Sequence, residues 1–362
     1  MIKRIYMCIL LITFVLVIVP AVNSQLTASE DLIDIYDEPF GDFSQSYIAA
    51  NGLPLHSLLT LGHYRIFDSQ GNPLTLDDLV ANITESDVTF LGEIHTDAVA
   101  HYLEVLLLEM AWDKNQTLSL EMFETDVQYV VNEYLAGHIS EEHFLKSGRS
   151  WDNYDSDYRA MIEFSKEKGM PVLASNAPRR YINMVSRLGE ESLLSLSAEA
   201  KKYLPPLPYP AATQDYENKF RAIMSAYHSM GPTISEVQED AHLEKGDVKV
   251  KLAEGQLEEE LGLDEEAFQQ MLAAQNLWDA SMAWSIASHL KQHPENRVLH
   301  VNGSFHSDYQ LGIPEHLQNY LPNSTMLGVT IVPSYEFPDF SDAMQGMGDI
   351  VIVTDANLPP SH

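Results

Sequence analysis

The chain has 362 residues, 45% of them hydrophobic, with 18 glycines and 18 prolines, which is the composition of a globular protein and excludes low-complexity and collagen-like classes. Acidic residues outnumber basic ones 53 to 21, for a net charge of −32. A surplus of that sign argues against non-specific nucleic-acid binding and against docking on anionic lipid, and reads first as a solubility feature.

Residues 1–24 have the pattern of a secretory signal peptide. Lys3 and Arg4 form a basic start, Ile5 to Val19 an apolar stretch, and Pro20 to Ser24 a cleavage region. The apolar run, about 15 residues, is short for a membrane span. Export to the periplasm, the outer-membrane periphery or the medium is therefore expected. Cys8 is the only cysteine and lies inside the apolar stretch, so it does not form a lipobox. The processed chain would have no disulfide and no thiolate metal site. Loss of Lys3 and Arg4 would leave 19 basic against 53 acidic residues. About 338 processed residues exceed one small core and suggest an α/β domain with a helical insertion.

Residues 25–60 are acidic and irregular and read as an arm or linker. His63–Phe67 has strand character, Asp68–Asn72 is a turn, and Thr75 opens a short helix through Leu79. The pattern then alternates. A strand over Val88–Leu91 precedes a helix over Ala98–Trp112, with Leu103, Leu106, Leu107 and Met110 at helical spacing. Thr117–Phe123 is the next strand, followed by helices over Asp126–Ala136, Ser140–Lys146 and Asp155–Lys168. Ser140 is a natural N-cap, and Gly169 occupies the place of a helix terminator. A strand over Pro171–Asn176 enters a helix over Arg179–Leu188. Sheet signals then lapse. Pro205–Pro210 is a stiff connector, and helical stretches follow at Asp215–Met230, Glu254–Leu261 and Asp264–Leu290. Strands resume at Arg297–Val301, Met326–Val332 and Asp349–Val353. Strands alternating with helices predict a mostly parallel sheet flanked by helices, over 61–355, with a helical insertion at about 200–290 and a polar tail at 356–362.

The residues able to do chemistry gather at predicted strand ends. Gly92-Glu93-Ile94-His95 leaves one strand and Gly303-Ser304-Phe305-His306 another, giving two Gly-x-x-His units at equivalent places. Glu121 falls near the end of a third strand and Asn176 at the end of a fourth. In open α/β sheets ligands bind beyond the carboxyl ends of the strands. Imidazoles and carboxylates at one rim suit a divalent ion such as Mn, Fe or Zn, or a general base oriented by an acid. That assigns His95, His306, Glu93 and Glu121 as metal ligands, with Glu93 and Glu121 as catalytic carboxylates. Arg179 and Arg180 follow Pro178 at a helix start suited to an anion. Trp151–Arg159 clusters aromatics with polar residues and offers a flat-ligand surface, while Gln275, Asp279 and Met282 share one helical face. Both stretches could equally be packing of the insertion on the sheet.

Gly-Glu-Ile-His, Leu-Glu-Met-Phe-Glu, Trp-x-Asn-Tyr-x-x-Asp-Tyr-Arg, Ser-Asn-Ala-Pro-Arg-Arg, Ala-Gln-x-Leu-Trp-Asp-x-x-Met-Ala and Asn-Gly-Ser-Phe-His-x-Asp-Tyr occur in that order between about His63 and Val332. Together they resemble the ChaN-like haem-binding uptake proteins of the Tiki superfamily. The resemblance implies an exported α/β protein that binds haem between two protomers, through a tyrosine assisted by histidine, in service of iron uptake at the outer membrane. Tyr154, Tyr158, Tyr209 and Tyr309 are open for that tyrosine, with Arg179, Asn176, Gln275 and Asp279 as further pocket residues. Many relatives are lipoproteins, which this chain departs from. The Tiki branch implies instead a divalent-metal-dependent hydrolase. Its two Gly-x-x-His units and glutamate match Gly92/His95, Gly303/His306 and either Glu93 or Glu121.

Overall fold

The computed structural model describes residues 62–229 and 265–362. The segments predicted to be a signal peptide, an acidic arm and the Glu254–Leu261 helix lie outside the described residues. Within them, one sheet contains β1 (Tyr64–Asp68), β2 (Pro73–Leu74), β3 (Val88–Glu93), β4 (Gln116–Glu124), β5 (Val172–Asn176), β6 (Arg297–Gly303), β7 (Met326–Ser334) and β8 (Ile350–Asp355). Their order is β2-β1-β8-β7-β3-β6-β4-β5. β1 runs antiparallel to both neighbours, and every pairing from β8 across to β5 is parallel. The sheet is the mostly parallel α/β arrangement that the alternating pattern predicts.

The helices are α1 (Leu76–Glu85), α2 (Ala98–Met110), α3 (Gln128–Leu135), α4 (Glu141–Gly148), α5 (Arg159–Lys168), α6 (Arg179–Leu188), α7 (Ala198–Lys201), α8 (Gln214–Ser229), α9 (Glu265–Gln292) and α10 (Ile313–Tyr320). α1 outruns its predicted end because Ile83 continues the buried stripe begun by Leu79. α5 starts later than its pattern suggests. A π-turn over Tyr154–Tyr158 precedes it, and this wider turn buries Tyr154, Asp157 and Tyr158 together. Gly169 ends α5 in the left-handed conformation at φ 64°, where a side chain would be strained.

β3 lies at the centre of the sheet, and all six of its residues are buried, which is why it reads as an apolar run instead of an alternation. Val88 and Phe90 of β3 and Val298 of β6 pack against Met282, Ala283 and Ile286 of α9 and Ile313 and Leu317 of α10. The later half of the predicted insertion is thus a covering helix of the sheet. A second core joins α6, Leu204 and Tyr209 to Ala274 and Leu277 of the same helix. No helix among the described residues is long and apolar enough to cross a membrane.

Candidate site at the carboxyl ends of β3, β4 and β6

The strand order brings the two Gly-x-x-His units together. β3 and β6 are parallel neighbours with Glu93 opposite Gly303, and β4 flanks β6 on its other side. Glu93, Glu121 and Gly303 therefore emerge from adjacent strands, and His95 and His306 follow within one turn. The glycines are required by space. A Cβ on Gly92 would stand 3.0 Å from Ser304 Cα, and one on Gly303 would stand 3.0 Å from His95 Nε2 and 3.7 Å from Glu121 Oε2. Each motif's glycine makes room for the other motif's loop.

Both histidines are held in the same way. His95 Nδ1 donates to Glu93 Oε1 at 3.0 Å, and His306 Nδ1 donates to Asp279 Oδ1 of α9 at 2.6 Å. A carboxylate can only accept, so in each case the proton sits on Nδ1, and the other ring nitrogen is the basic one. His306 Nε2 lies 3.6 Å from Glu121 Oε1, while Glu121 Oε2 accepts from the Gly303 N–H at 2.7 Å. His95 Nε2 and Glu121 Oε2 both lie close to Gly303. Burial opposes charge on His306, yet the Asp279 and Glu121 carboxylates outweigh it and raise its pKa. Lys219 of α8 donates to the carbonyls of Phe305 and Asp308, at 2.6 and 3.0 Å, and so fixes the loop carrying His306.

Behind this rim lies a buried polar cluster. Tyr158 donates to Glu93 Oε1 at 2.9 Å. His101 of α2 places Nδ1 3.0 Å from Glu93 Oε2 and 3.4 Å from Glu104 Oε2. Its Nε2 donates to the His95 carbonyl at 2.9 Å. Burial works against a charged Glu93, but His101 and His95 hold its pKa well below the usual carboxylate range. Burial and the neighbouring Glu93 charge push Glu104 up to about 8.

Beyond His95 opens a cleft of about 470 Å³ lined by His95, Glu124, Arg149, Trp151, Asn153 and Arg179, among others. Trp151 stands edge-on to His95 with ring centroids 5.0 Å apart, and the Arg179 guanidinium lies 5.8 Å over the same indole. Arg149, in the left-handed conformation at φ 54°, pairs with Glu124 at 2.7 Å and with Asp126. Arg180 pairs with Asp126 instead of facing the cleft. His362 reaches in from the end of the chain and contacts Asp157 at 3.1 Å.

The other residues named from sequence fall as follows. Asn176 is buried and accepts from the Ala177 N–H at 2.8 Å. Gln275 has a buried Oε1 with no partner, and Met282 lies in the core. Tyr154 packs among Phe123 and Phe144, Tyr209 is buried, and Tyr158 is taken by Glu93. Of these four tyrosines only Tyr309 is exposed, at 46%. It sits three residues beyond His306 at φ 63°. Sequence reading passed over His101, Glu104, Asp157 and Lys219. The signal for the first two was present: His101 and Glu104, one turn apart, interrupt an otherwise apolar face shared with Leu103 and Leu107.

Residues 79–317 match the family described as haem-binding uptake, Tiki superfamily, ChaN. The chain belongs to this ChaN family. Among solved structures, this ChaN-family chain is similar to ChaN of Campylobacter jejuni, which was solved for cofacial haem binding. The identity is 17% over 81% of this chain and 97% of that one, with a TM-score of 0.56. That degree of likeness shows the shared fold. An open-conformation mutant of the erythromycin esterase EreC is more distant, at 10% identity over 81% of this chain and 83% of that one, with a TM-score of 0.38. No curated protein sequence matches the chain.

Proposed function

We propose that this chain is an exported haem-binding protein that serves haem or iron uptake, with haem as its cargo. The observation that carries the reading is the family match over 79–317, which contains every residue of the β3–β4–β6 rim. Two separate features suit such a cargo. An iron in haem needs an axial donor within reach of a flat ligand, and the Tyr309 phenol is exposed. Haem also carries carboxylates, which in so acidic a chain need local guanidinium groups. Arg149 and Arg179 stand beside the Trp151 indole at the cleft. A homodimer enclosing the ligand and delivery to outer-membrane uptake machinery belong to the same proposal, as does removal of residues 1–24 on export.

Titration of the purified protein with haem should give a saturable Soret band at micromolar concentration. Tyr309→Phe should shift or abolish that band, whereas Tyr129→Phe, on the far-exposed α3, should leave it unchanged. A flat titration in the parent would remove the reading.

One observation favours a second reading, a divalent-metal-dependent hydrolase. The His95 and His306 imidazoles are each backed by a buried carboxylate at Nδ1, the arrangement that fixes tautomer and basicity in metal-binding histidines. The 3.6 Å between His306 Nε2 and Glu121 Oε1 matches the separation of two ligands on one ion at about 2.0–2.2 Å. His306 and Glu121 would hold Mn, Fe or Zn, which when bound lowers the pKa of water, with His95 Nε2 facing the same rim beside Gly303. Glu93 would act through His95. Loss of hydrolysis in both His95→Ala and His306→Ala, with Soret behaviour retained, would select this reading over the first.

A further inference from the structure

The buried cluster behind the rim leaves two carboxylate oxygens, Glu93 Oε2 and Glu104 Oε1, without a hydrogen bond. Glu93 and Glu104 are fully buried, with His101 between them. The ligand atoms of all three lie within 4.8 Å of one another. The His95 carbonyl fixes the proton of His101 on Nε2, because a carbonyl can only accept. Nδ1 then faces two carboxylate oxygens at once, at 3.0 and 3.4 Å. A single N–H can point at only one of them. Accordingly Glu93 Oε2 makes no hydrogen bond despite its closeness, and Glu104 Oε1 has none either. Against burial, the two carboxylates push His101 up to about 12, and burial beside Glu93 pushes Glu104 up to about 8, so the cluster is balanced by protons that a cation could replace.

We propose that Glu93, His101 and Glu104 form a buried structural site for one divalent transition ion, distinct from the His95–Glu121–His306 rim. One imidazole nitrogen and two carboxylates form a donor set for Zn, Mn or Fe. The His101–carboxylate separations equal those between ligands sharing an ion at about 2.0–2.2 Å. The ion would replace a second proton on His101 and any proton shared by the two glutamates. It would join the start of α2 to the end of β3 and so support Glu93, which holds His95. The His101 Nε2–H bond to the His95 carbonyl supplies the orienting contact found behind metal-bound histidines.

The test uses the full-length protein, with metal content measured after dialysis and by titration with Zn²⁺ and with Mn²⁺ alone. Parent protein should hold about one equivalent, and its Tm should fall when a chelator is added. Glu104→Gln keeps the shape of the side chain, and should weaken binding about 10- to 100-fold and make Tm insensitive to chelator. Tyr129→Phe, at an exposed position outside the cluster, should bind like the parent. Absence of stoichiometric metal in the parent or unchanged binding in Glu104→Gln would each overturn the proposal.

Discussion

His300, inside β6, and His306, just beyond its end, titrate in opposite directions. His300 is buried beside Phe90, its Nδ1 is engaged by Ser119 at 2.9 Å, and Nε2 has no partner. Burial pushes its pKa from 6.5 down to about 3. Between those values the unfolded chain binds a proton that the native state refuses. Stability present above pH 6.5 is therefore lost at about 1.4 kcal/mol per pH unit as the pH falls. Tm measured from pH 7 to pH 4 should drop less steeply in His300→Gln than in the parent. His306 has the reverse sign. Its pKa is raised by Asp279 and Glu121 against burial, so its contribution is complete below the unfolded value and fades as pH rises through the folded one. Imidazole chemical shifts should report a His306 pKa above 6.5 in the parent, and Asp279→Asn should lower it. An unchanged midpoint would show that Asp279 does not set it. At this scale the strand-end residues were legible, because an ionisable residue directly after a strand-closing glycine has few other places to be. His101 and Glu104 were not, since a polar pair on an apolar helix says nothing about which strand end it will meet.

Local signals set several elements, and their strength can be measured. Thr75 caps α1 through a capping box: Asp78 N–H donates to Thr75 Oγ1 at 3.1 Å, and Thr75 N–H donates to Asp78 Oδ2 at 2.9 Å. Thr75→Ala should cost about 1 kcal/mol, seen as a lower urea midpoint at unchanged m-value. The α9–α10 junction makes a tighter demand. Gly312 sits at φ 73°, and a Cβ there would meet the His306 carbonyl at 2.6 Å and Asp279 Oδ2 at 2.9 Å. Gly312→Ala should therefore destabilise by more than the roughly 1 kcal/mol of a left-handed alanine and displace the Asp279–His306 pair. The His306 resonance should move with it. A variant with native stability and shifts would show that the loop can yield. The helical pattern placed Asp279 with Gln275 and Met282 on one face, but only packing separated them. Met282 goes to the core, and Asp279 alone meets His306.

The charge of −32 acts on the whole molecule and bears on an anionic cargo. Raising ionic strength from about 0.01 to 0.15 M shortens the Debye length from about 30 to 8 Å, so haem association should quicken with salt. Arg149→Gln and Arg179→Gln should each slow it further at low salt, and stopped-flow Soret traces would measure both effects. A rate that falls with salt would mean that the cleft's arginines dominate the field.

Composition, the alternation of apolar runs with amphipathic ones, and punctuation by glycine and proline determined the α/β class, the strands and the two Gly-x-x-His exits, because those signals act within a few residues. Only the tertiary structure decided that β6 inserts between β3 and β4. That order joins Gly303 to Glu93 and Glu121 and backs His306 with Asp279. The packing of α2 against the end of β3 closes Glu93, His101 and Glu104 into one buried cluster. Strand order and side-chain convergence arise from burying all the apolar faces at once, a condition on the whole chain that no local stretch contains.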